Sequence, residues 1–202
     1  MSRVSRQQAE LNRTAIEDTS SRLFREKGIT GVSVADLMAA VGLTHGGFYG
    51  HFESKDALAA IACAKAFEQS TAKWNKRVSE HPDRAAALAS IVDNYLSIKS
   101  RNGAGTGCPL SALAIDVARE PADKPVREAF LAGVNNLLEV LVGIQGTGDD
   151  TRDRTLALGQ LSTMVGGLVL ARATRGDKIS DEFLAAAREQ LIPTTGASEK
   201  QP

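Results

Sequence analysis

The sequence predicts an all-α protein of about nine helices, and three observations carry that expectation. Apolar residues recur at i, i+3, i+4 and i+7 in segment after segment, which lines them along one side of a 3.6-residue helix. No stretch longer than four residues alternates in the β-branched-rich manner of a strand. Ser, Thr, Asp and Pro stand where the periodic segments begin, and Gly or Pro where they end, as helix start and stop chemistry requires.

The first expected helix runs from about Asn12 to Lys27, with Ile16, Leu23 and Phe24 on one face and Gly28 as its stop. The second opens at Ser33, with Asp36 placed as a capping-box partner and Val34, Leu37, Met38 and Val41 in one stripe. Gly42 breaks it, Leu43 turns inward, and Thr44 opens a short third helix reaching about Phe52. Ser54 opens a long fourth helix to roughly Glu80, and Pro82 with Asp83 opens a fifth to about Lys99. Residues 101–107 form a glycine-rich loop, after which Pro109 suits the first position of a sixth helix ending before Pro121. A seventh runs from Pro125 to about Ile144, an eighth from Thr151 to Thr174, and a ninth from Ser180 to about Leu191; residues 193–202 are expected to be disordered. The expected division is a helix-turn-helix head with an N-terminal arm over 1–54, a larger helical ligand-binding and dimerisation domain over 55–192, and the tail.

Composition narrows the function classes. Of 202 residues, 43% are apolar and 24% charged, enough to bury a core and too much for a disordered or fibrous chain; aromatics at 4% make that core chiefly aliphatic. No run of ~18 uninterrupted apolar residues is present, and no apolar stretch follows the N-terminal arginines, so a cytoplasmic protein without a membrane partner is expected. Charge balances at 24 basic against 24 acidic residues, so bulk charge does not announce a nucleic-acid partner. Only the first thirteen residues lean basic, with Arg3, Arg6 and Arg13 against Glu10, which suits an arm touching phosphates.

Enzyme chemistry has no visible residues. Cys63 and Cys108 are far apart and lack Cys-x-x-Cys spacing, against both a disulfide framework and a four-thiolate zinc site. His45 and His51 are separated by about 600° of helix rotation, so they cannot share a metal. Gly103, Gly105 and Gly107 follow no strand and precede no Gly-Lys-Ser/Thr, and no Gly-x-Ser-x-Gly elbow occurs. No cofactor, metal or catalytic residue is expected.

The pattern that does carry chemistry is a helix, a four-residue turn and a second helix packed on a preceding helix, within residues 12–52. A helix so presented fits the major groove of duplex DNA. Gly46 and Gly47 each cost about 1 kcal/mol of helix propensity against alanine, an expense that close approach of backbone to DNA would explain. Phe48 and Phe52, at i and i+4, read as anchors, with Tyr49 off their stripe.

The run from Ser33 to Leu58, SVADLMAAVGLTHGGFYGHFESKDAL, together with Arg13-x-x-Ile16 and Leu23-Phe24-x-x-x-Gly28, resembles the signature of the tetracycline-repressor (TetR/AcrR) family of transcriptional regulators. The resemblance covers about residues 12–58; the remainder agrees in helix number and length. It implies a DNA-binding set of Ser33, Thr44, His45, Gly46, Gly47, Tyr49, His51 and Lys55. In that set Thr44 and Lys55 bond phosphates, His45, Gly46 and Gly47 face bases, and Tyr49 and His51 hold the backbone. Gly50 departs from the family pattern, where a larger side chain is common.

The resemblance further implies that the last two helices pair with their mates in a homodimer. Leu161, Met164, Val165, Leu168 and Phe183 are the expected interface, and Gly166-Gly167 would let a partner helix come close. Ordinary intrachain core is the other reading of that stripe. Phe67, Trp74, Tyr95, Cys108 and Leu113 are the candidate lining of an effector site, and for each of them simple core packing also remains open. Cys108 falls before Pro109 at a helix N-cap, where the dipole favours a thiolate, and its setting is similar to the electrophile-sensing branch of the family; a small residue filling a cap is the plainer reading. The expected function is a ligand-responsive repressor of a palindromic double-stranded DNA operator, released by a small-molecule or electrophile effector, with the fourth helix transmitting the change from the body to Lys55. An activator, and a ligand-binding or redox-sensing protein that no longer reads DNA, stay open.

Overall fold

The computed structural model describes residues 5–192; Arg3 and the expected disordered tail, 193–202, lie outside the described residues. Among the described residues there are nine α-helices, two 3-10 segments and no strand. In order they are α1 (Arg6–Lys27), α2 (Val34–Ala40), a 3-10 segment (His45–Gly50), α3 (Lys55–Glu80), α4 (Arg84–Tyr95), α5 (Ile98–Asn102), a 3-10 turn (Ala104–Thr106), α6 (Pro109–Arg119), α7 (Pro125–Gln145), α8 (Asp150–Ala173) and α9 (Ile179–Leu191). The all-α class expected from periodicity is what the chain adopts.

Four local expectations need correction. The first helix starts at Arg6 rather than Asn12, capped by Ser5, whose hydroxyl accepts the Gln8 amide at 3.2 Å; its first turns bury no side chain, so no apolar stripe marks them. The third expected helix is 3-10, not α. The fifth divides after Tyr95, because the Ser97 hydroxyl accepts the Ser100 amide at 3.1 Å and starts the short α5, without a Gly or Pro to signal it. Ser180 does not cap the last helix: it is buried, donating to the Ala171 carbonyl at 2.6 Å and accepting from Arg101 at 2.9 Å.

The chain divides into two compact units, each drawn from two stretches of sequence. One draws on the chain up to Ala72 and on Gly103–Leu137; the other on Lys73–Asn102 and the chain from Leu138. The first unit therefore combines the three-helix head with most of α3, all of α6 and most of α7. Its interior includes Ile16, Phe24, Leu37, Met38, Phe48 and Leu58, each at most 1% exposed.

In the second unit α8 lies along α9 so closely that a Cβ on Gly167 would stand 2.7 Å from that of Ala187. Asp149 caps α8 by accepting the amides of Thr151 and Arg152 at 3.0 and 3.1 Å. Asp153, one turn further in, is buried and accepts the Thr147 hydroxyl at 2.6 Å, closing the loop before the helix. By length and mean hydropathy α8 would suit a bilayer crossing, but Ala157, Met164, Leu168 and Ala171 bury its inner side in this unit.

Candidate nucleic-acid interface

The head is built from capped, short helices whose ends are individually specified. Gly28 ends α1 at φ 79°, ψ 160°, a conformation open essentially to glycine alone, and its amide bonds the Phe24 carbonyl. At the start of α2 the capping box is complete: the Ser33 hydroxyl accepts the Asp36 amide at 3.1 Å, and Asp36 Oδ2 accepts the Ser33 amide at 2.9 Å and its hydroxyl at 2.6 Å. Hydrogen bonds from Ser33, with smaller help from Lys27 and Lys55, hold the Asp36 carboxyl below its ordinary pKa. The far end of α2 closes in a Schellman motif around Gly42 at φ 71°, with Gly42 N–H bonded to Ala39 and Leu43 N–H to Met38.

That turn delivers the chain to the 3-10 segment His45–Gly50. The hydrogen bonds Gly47 to Thr44 and His51 to Phe48, at 3.0 and 2.9 Å, are spaced by three residues. With three glycines in six residues, little intrinsic propensity favours an α-helix here. What fixes the segment is its inward pair. Phe48 and Phe52 are 0% and 4% exposed with ring centroids 5.7 Å apart, and each contributes about 1.5–3 kcal/mol by burial.

The expected DNA-binding residues distribute around this keel. His45 and Tyr49 stand side by side on the outer face, ring centroids 6.2 Å apart, with Tyr49 65% exposed. Thr44 precedes them in extended conformation, exposed, and its hydroxyl makes no capping hydrogen bond, contrary to the cap expected there. Gly46 faces open space, while a Cβ on Gly47 would meet Met38 at 3.6 Å. His51 is half-buried at the segment's end, and Lys55 is half-buried at the start of α3, just beyond the Ser54 cap. Ser33 differs from the rest. Its one hydroxyl proton goes to Asp36, so it builds α2 and has no donor left for a phosphate.

Sequence reading missed the residues that seat the head. Arg25, 6% exposed, donates to the Gly107 carbonyl at 2.7 Å and to the Ser21 carbonyl at 2.9 Å. Burial pushes its pKa down, opposed by the electrostatic influence of nearby Cys108 and Glu26. Asp116 on α6 accepts the Ile29 amide at 3.2 Å. A Cβ on Gly105 would come within 2.3 Å of a Glu26 carboxylate oxygen, so the glycine-rich loop is a close fit against α1. These partners lie 82 and 87 residues apart in sequence, where no local pattern connects them.

The candidate effector residues divide between the two units. Phe67 and Leu113 are buried in the first unit, with the Phe67 ring edge-on to Phe130 at 5.3 Å and occupying the space beside Gly133. Trp74 and Tyr95 belong to the second unit and pack edge-to-face at 6.1 Å. Cys108 stands at the N-cap of α6 as expected, without a capping hydrogen bond from its side chain. A groove of about 220 Å³ lies elsewhere, lined by Leu96, Ile98, Leu184 and Ala185 with Asp181 and Arg188 at its edge.

The residues expected at a dimer interface differ in how far the chain itself covers them. Leu161, Met164 and Leu168 are covered within the chain, at 6%, 0% and 1% exposure, and Val165 and Phe183 are half-buried. The outward side of α8 instead carries Leu158, Gly159, Ser162 and Gly166, and a Cβ on either glycine would meet nothing within 4 Å.

Comparison with known proteins bears on this head directly. Residues 16–61 match the family model described as bacterial regulatory proteins, tetR family. Over 190 residues, 91% of this chain and 93% of the relative, the sequence is 24% identical to the HTH-type transcriptional repressor DhaR of Mycobacterium sp. (strain GP1). A TetR transcriptional regulator from Chloroflexus aurantiacus J-10-FL superposes with a TM-score of 0.76 at 26% identity, covering 92% of this chain and 94% of that one. AibR, solved in complex with isovaleryl coenzyme A and operator DNA, shares the fold with a TM-score of 0.64 at 15% identity, over 90% of this chain and 98% of its own. The capped three-helix head, the all-α body and these likenesses agree: residues 16–61 form a DNA-binding head of the tetR type, and the chain has the fold of the tetR-family transcriptional regulators it resembles.

Proposed function

We propose that the protein is a cytoplasmic, homodimeric repressor that reads a palindromic operator and leaves it when an effector binds the helical body. The observation that carries this reading is the outer face of the 3-10 segment. Thr44, His45, Gly46 and Tyr49 are exposed together on a support of buried Phe48 and Phe52. Such a face offers hydroxyl, imidazole and bare backbone to DNA without a bulky side chain between. Lys55, at the head of α3, supplies a phosphate contact at its edge. A two-fold dimer would set two such faces ~34 Å apart, one turn of duplex, which is why the operator should be palindromic.

The effector is a small molecule or an electrophile. AibR carries an acyl-coenzyme A on the same fold, which supports an organic ligand. Cys108 supports an electrophile, because it combines a helix N-cap with the neighbouring buried cation Arg25. The head is tied to α6 and its preceding loop by Arg25 and Asp116, so a change at Cys108 has a short path to α1, beside the path along α3 to Lys55. Couplings of about 1–3 kcal/mol would weaken operator binding roughly 5- to 150-fold.

Duplexes selected from the source genome, titrated at two salt concentrations with and without acyl-coenzyme A and a reactive aldehyde, test the scheme. Steeply salt-dependent binding weakened by one effector class is expected. Weak, salt-insensitive binding would overturn the repressor reading. An aldehyde response in Cys108→Ser identical to that of the wild type would remove the electrophile from it.

A further inference from the structure

We propose that Arg13 on α1 is a positioning residue for the DNA-reading segment, holding its C-terminal end by the backbone rather than gripping a phosphate. Its Nη1 donates to the His51 carbonyl at 2.5 Å, across 38 residues of sequence. His51 is the residue that ends the 3-10 segment. The same guanidinium lies 4.5 Å from the centroid of the Phe52 ring, and its Nε is 3.1 Å from the Glu17 carboxylate. Glu17 in turn lies 3.8 Å from Lys65 on α3. One planar cation thus joins α1, the end of the reading segment and, through Glu17, the helix that follows.

The segment needs such a clamp for a physical reason. The last carbonyls of a helix point away from any partner of their own, and a cation there is favoured by the helix dipole. The glycines at 46, 47 and 50 leave the backbone itself little resistance to unwinding. Phe48 and Phe52 fix the segment's depth, and the bond to His51 fixes where it stops. Arginine suits the task where lysine would not, because its flat face covers Phe52 while two edges of the fork serve separate acceptors. One face of Arg13 lies on Phe52 and two of its nitrogens are bonded within the head, so its contacts tie it to the reading segment even though the side chain is 44% exposed and stands in a basic N-terminal run suited to phosphate contact.

The test compares full-length wild type with Arg13→Met and Arg13→Lys, each checked for helicity, on a duplex recovered by selection with the wild type and on an unrelated duplex. Dissociation constants are measured across a salt series, with Lys55→Met as the phosphate-contact control. Arg13→Met is expected to weaken operator binding roughly ten- to hundredfold, the scale of one charge-assisted hydrogen bond. It should keep the wild-type slope of log Kd against log salt, hold its affinity for the unrelated duplex, and show faster amide exchange over residues 48–52. Arg13→Lys should show the same pattern at smaller amplitude, and serves if the methionine variant does not fold. Lys55→Met should instead flatten the slope by about one contact, ~0.9. A flattened slope with parallel loss on both duplexes in the Arg13 variants would make Arg13 a phosphate ligand and overturn the proposal, as would unchanged operator affinity. Wild-type protein that selects no duplex would overturn the DNA reading, and this inference with it.

Discussion

Asp116 accepts the amide of Ile29 at 3.2 Å, joining the middle of α6 to the first residue beyond the glycine that stops α1. The same carboxylate fills the space a side chain on Gly28 would need, with Oδ1 2.9 Å from the position of a Cβ. The stop of α1 and its seat on α6 are therefore one structure. Gly28→Ala should cost about 1–3 kcal/mol from backbone strain alone. Asp116→Ala should cost about 1–3 kcal/mol by leaving a part-buried amide unpaired. Because both disturb the same contact, their effects should fall short of additive in a double-mutant cycle read by denaturant melts.

Asp36 gives the head a dependence on acid. Its carboxyl is held below the ordinary carboxylate value by the Ser33 hydrogen bonds. A depressed pKa contributes stability that is fully present above the unfolded-state value, near ~4, and is lost as pH falls through the lower folded value. The difference in melting temperature between wild type and Asp36→Asn should thus be constant from neutral pH down to about 5 and shrink below it. A difference that grows on acidification would exclude this account.

The two cysteines should separate in a labelling experiment. Burial pushes the Cys63 thiol up to about 12, leaving roughly one part in ten thousand as thiolate at pH 8. Cys108 is also buried, at 9% exposure, but it stands at the N-cap of α6 with the Arg25 cation near it, the kind of setting in which cysteines react. Iodoacetamide on folded protein should modify the Cys108 peptide and spare Cys63 until denaturant is added, as read by peptide mass. Arg25→Met should slow the Cys108 reaction and loosen the loop that Arg25 holds through Gly107.

How much could be read in advance depended on the range of the interaction. The capping box of Ser33 and Asp36, the stop at Gly28, the break at Gly42 and the buried pair Phe48 and Phe52 are local, and spacing alone displayed them. The clamp of Arg13 on His51, and those of Arg25 and Asp116 on α1 and its end, join residues 38 to 87 apart. Composition carries no trace of such pairings. The stripe Leu161, Met164 and Leu168 meets a different limit. Its spacing shows that it needs cover, which the chain itself supplies, but periodicity cannot distinguish a neighbouring helix of the same chain from that of a second copy.

Burial within the chain predicts opposite outcomes for neighbouring positions on α8. Met164 is fully buried, so Met164→Ala should cost about 2–5 kcal/mol of stability whatever the oligomeric state. Gly166 has nothing within 4 Å of a prospective Cβ. Gly166→Arg should therefore leave the melting of the isolated chain nearly unchanged while placing a large cation on the outward face, where a two-fold dimer would meet it. Light scattering should find the Gly166→Arg protein monomeric and the Met164→Ala protein dimeric but less stable.

Gly46 separates folding from reading most sharply. A Cβ there meets nothing within 4 Å and its backbone is not in a left-handed conformation, so the fold accepts a side chain. Alanine should even stabilise the head, by up to about 1 kcal/mol, since glycine is the poorer helix former. If the bare backbone of Gly46 approaches base edges, the added methyl group must displace the DNA, and larger residues must displace it further. Gly46→Ala and Gly46→Leu should thus melt at or above the wild-type temperature while operator affinity falls in that order. At Gly47 the two effects should be mixed, because a Cβ there already touches Met38 at 3.6 Å. Operator affinity that rises with stability in the Gly46 series would mean that this face does not meet DNA.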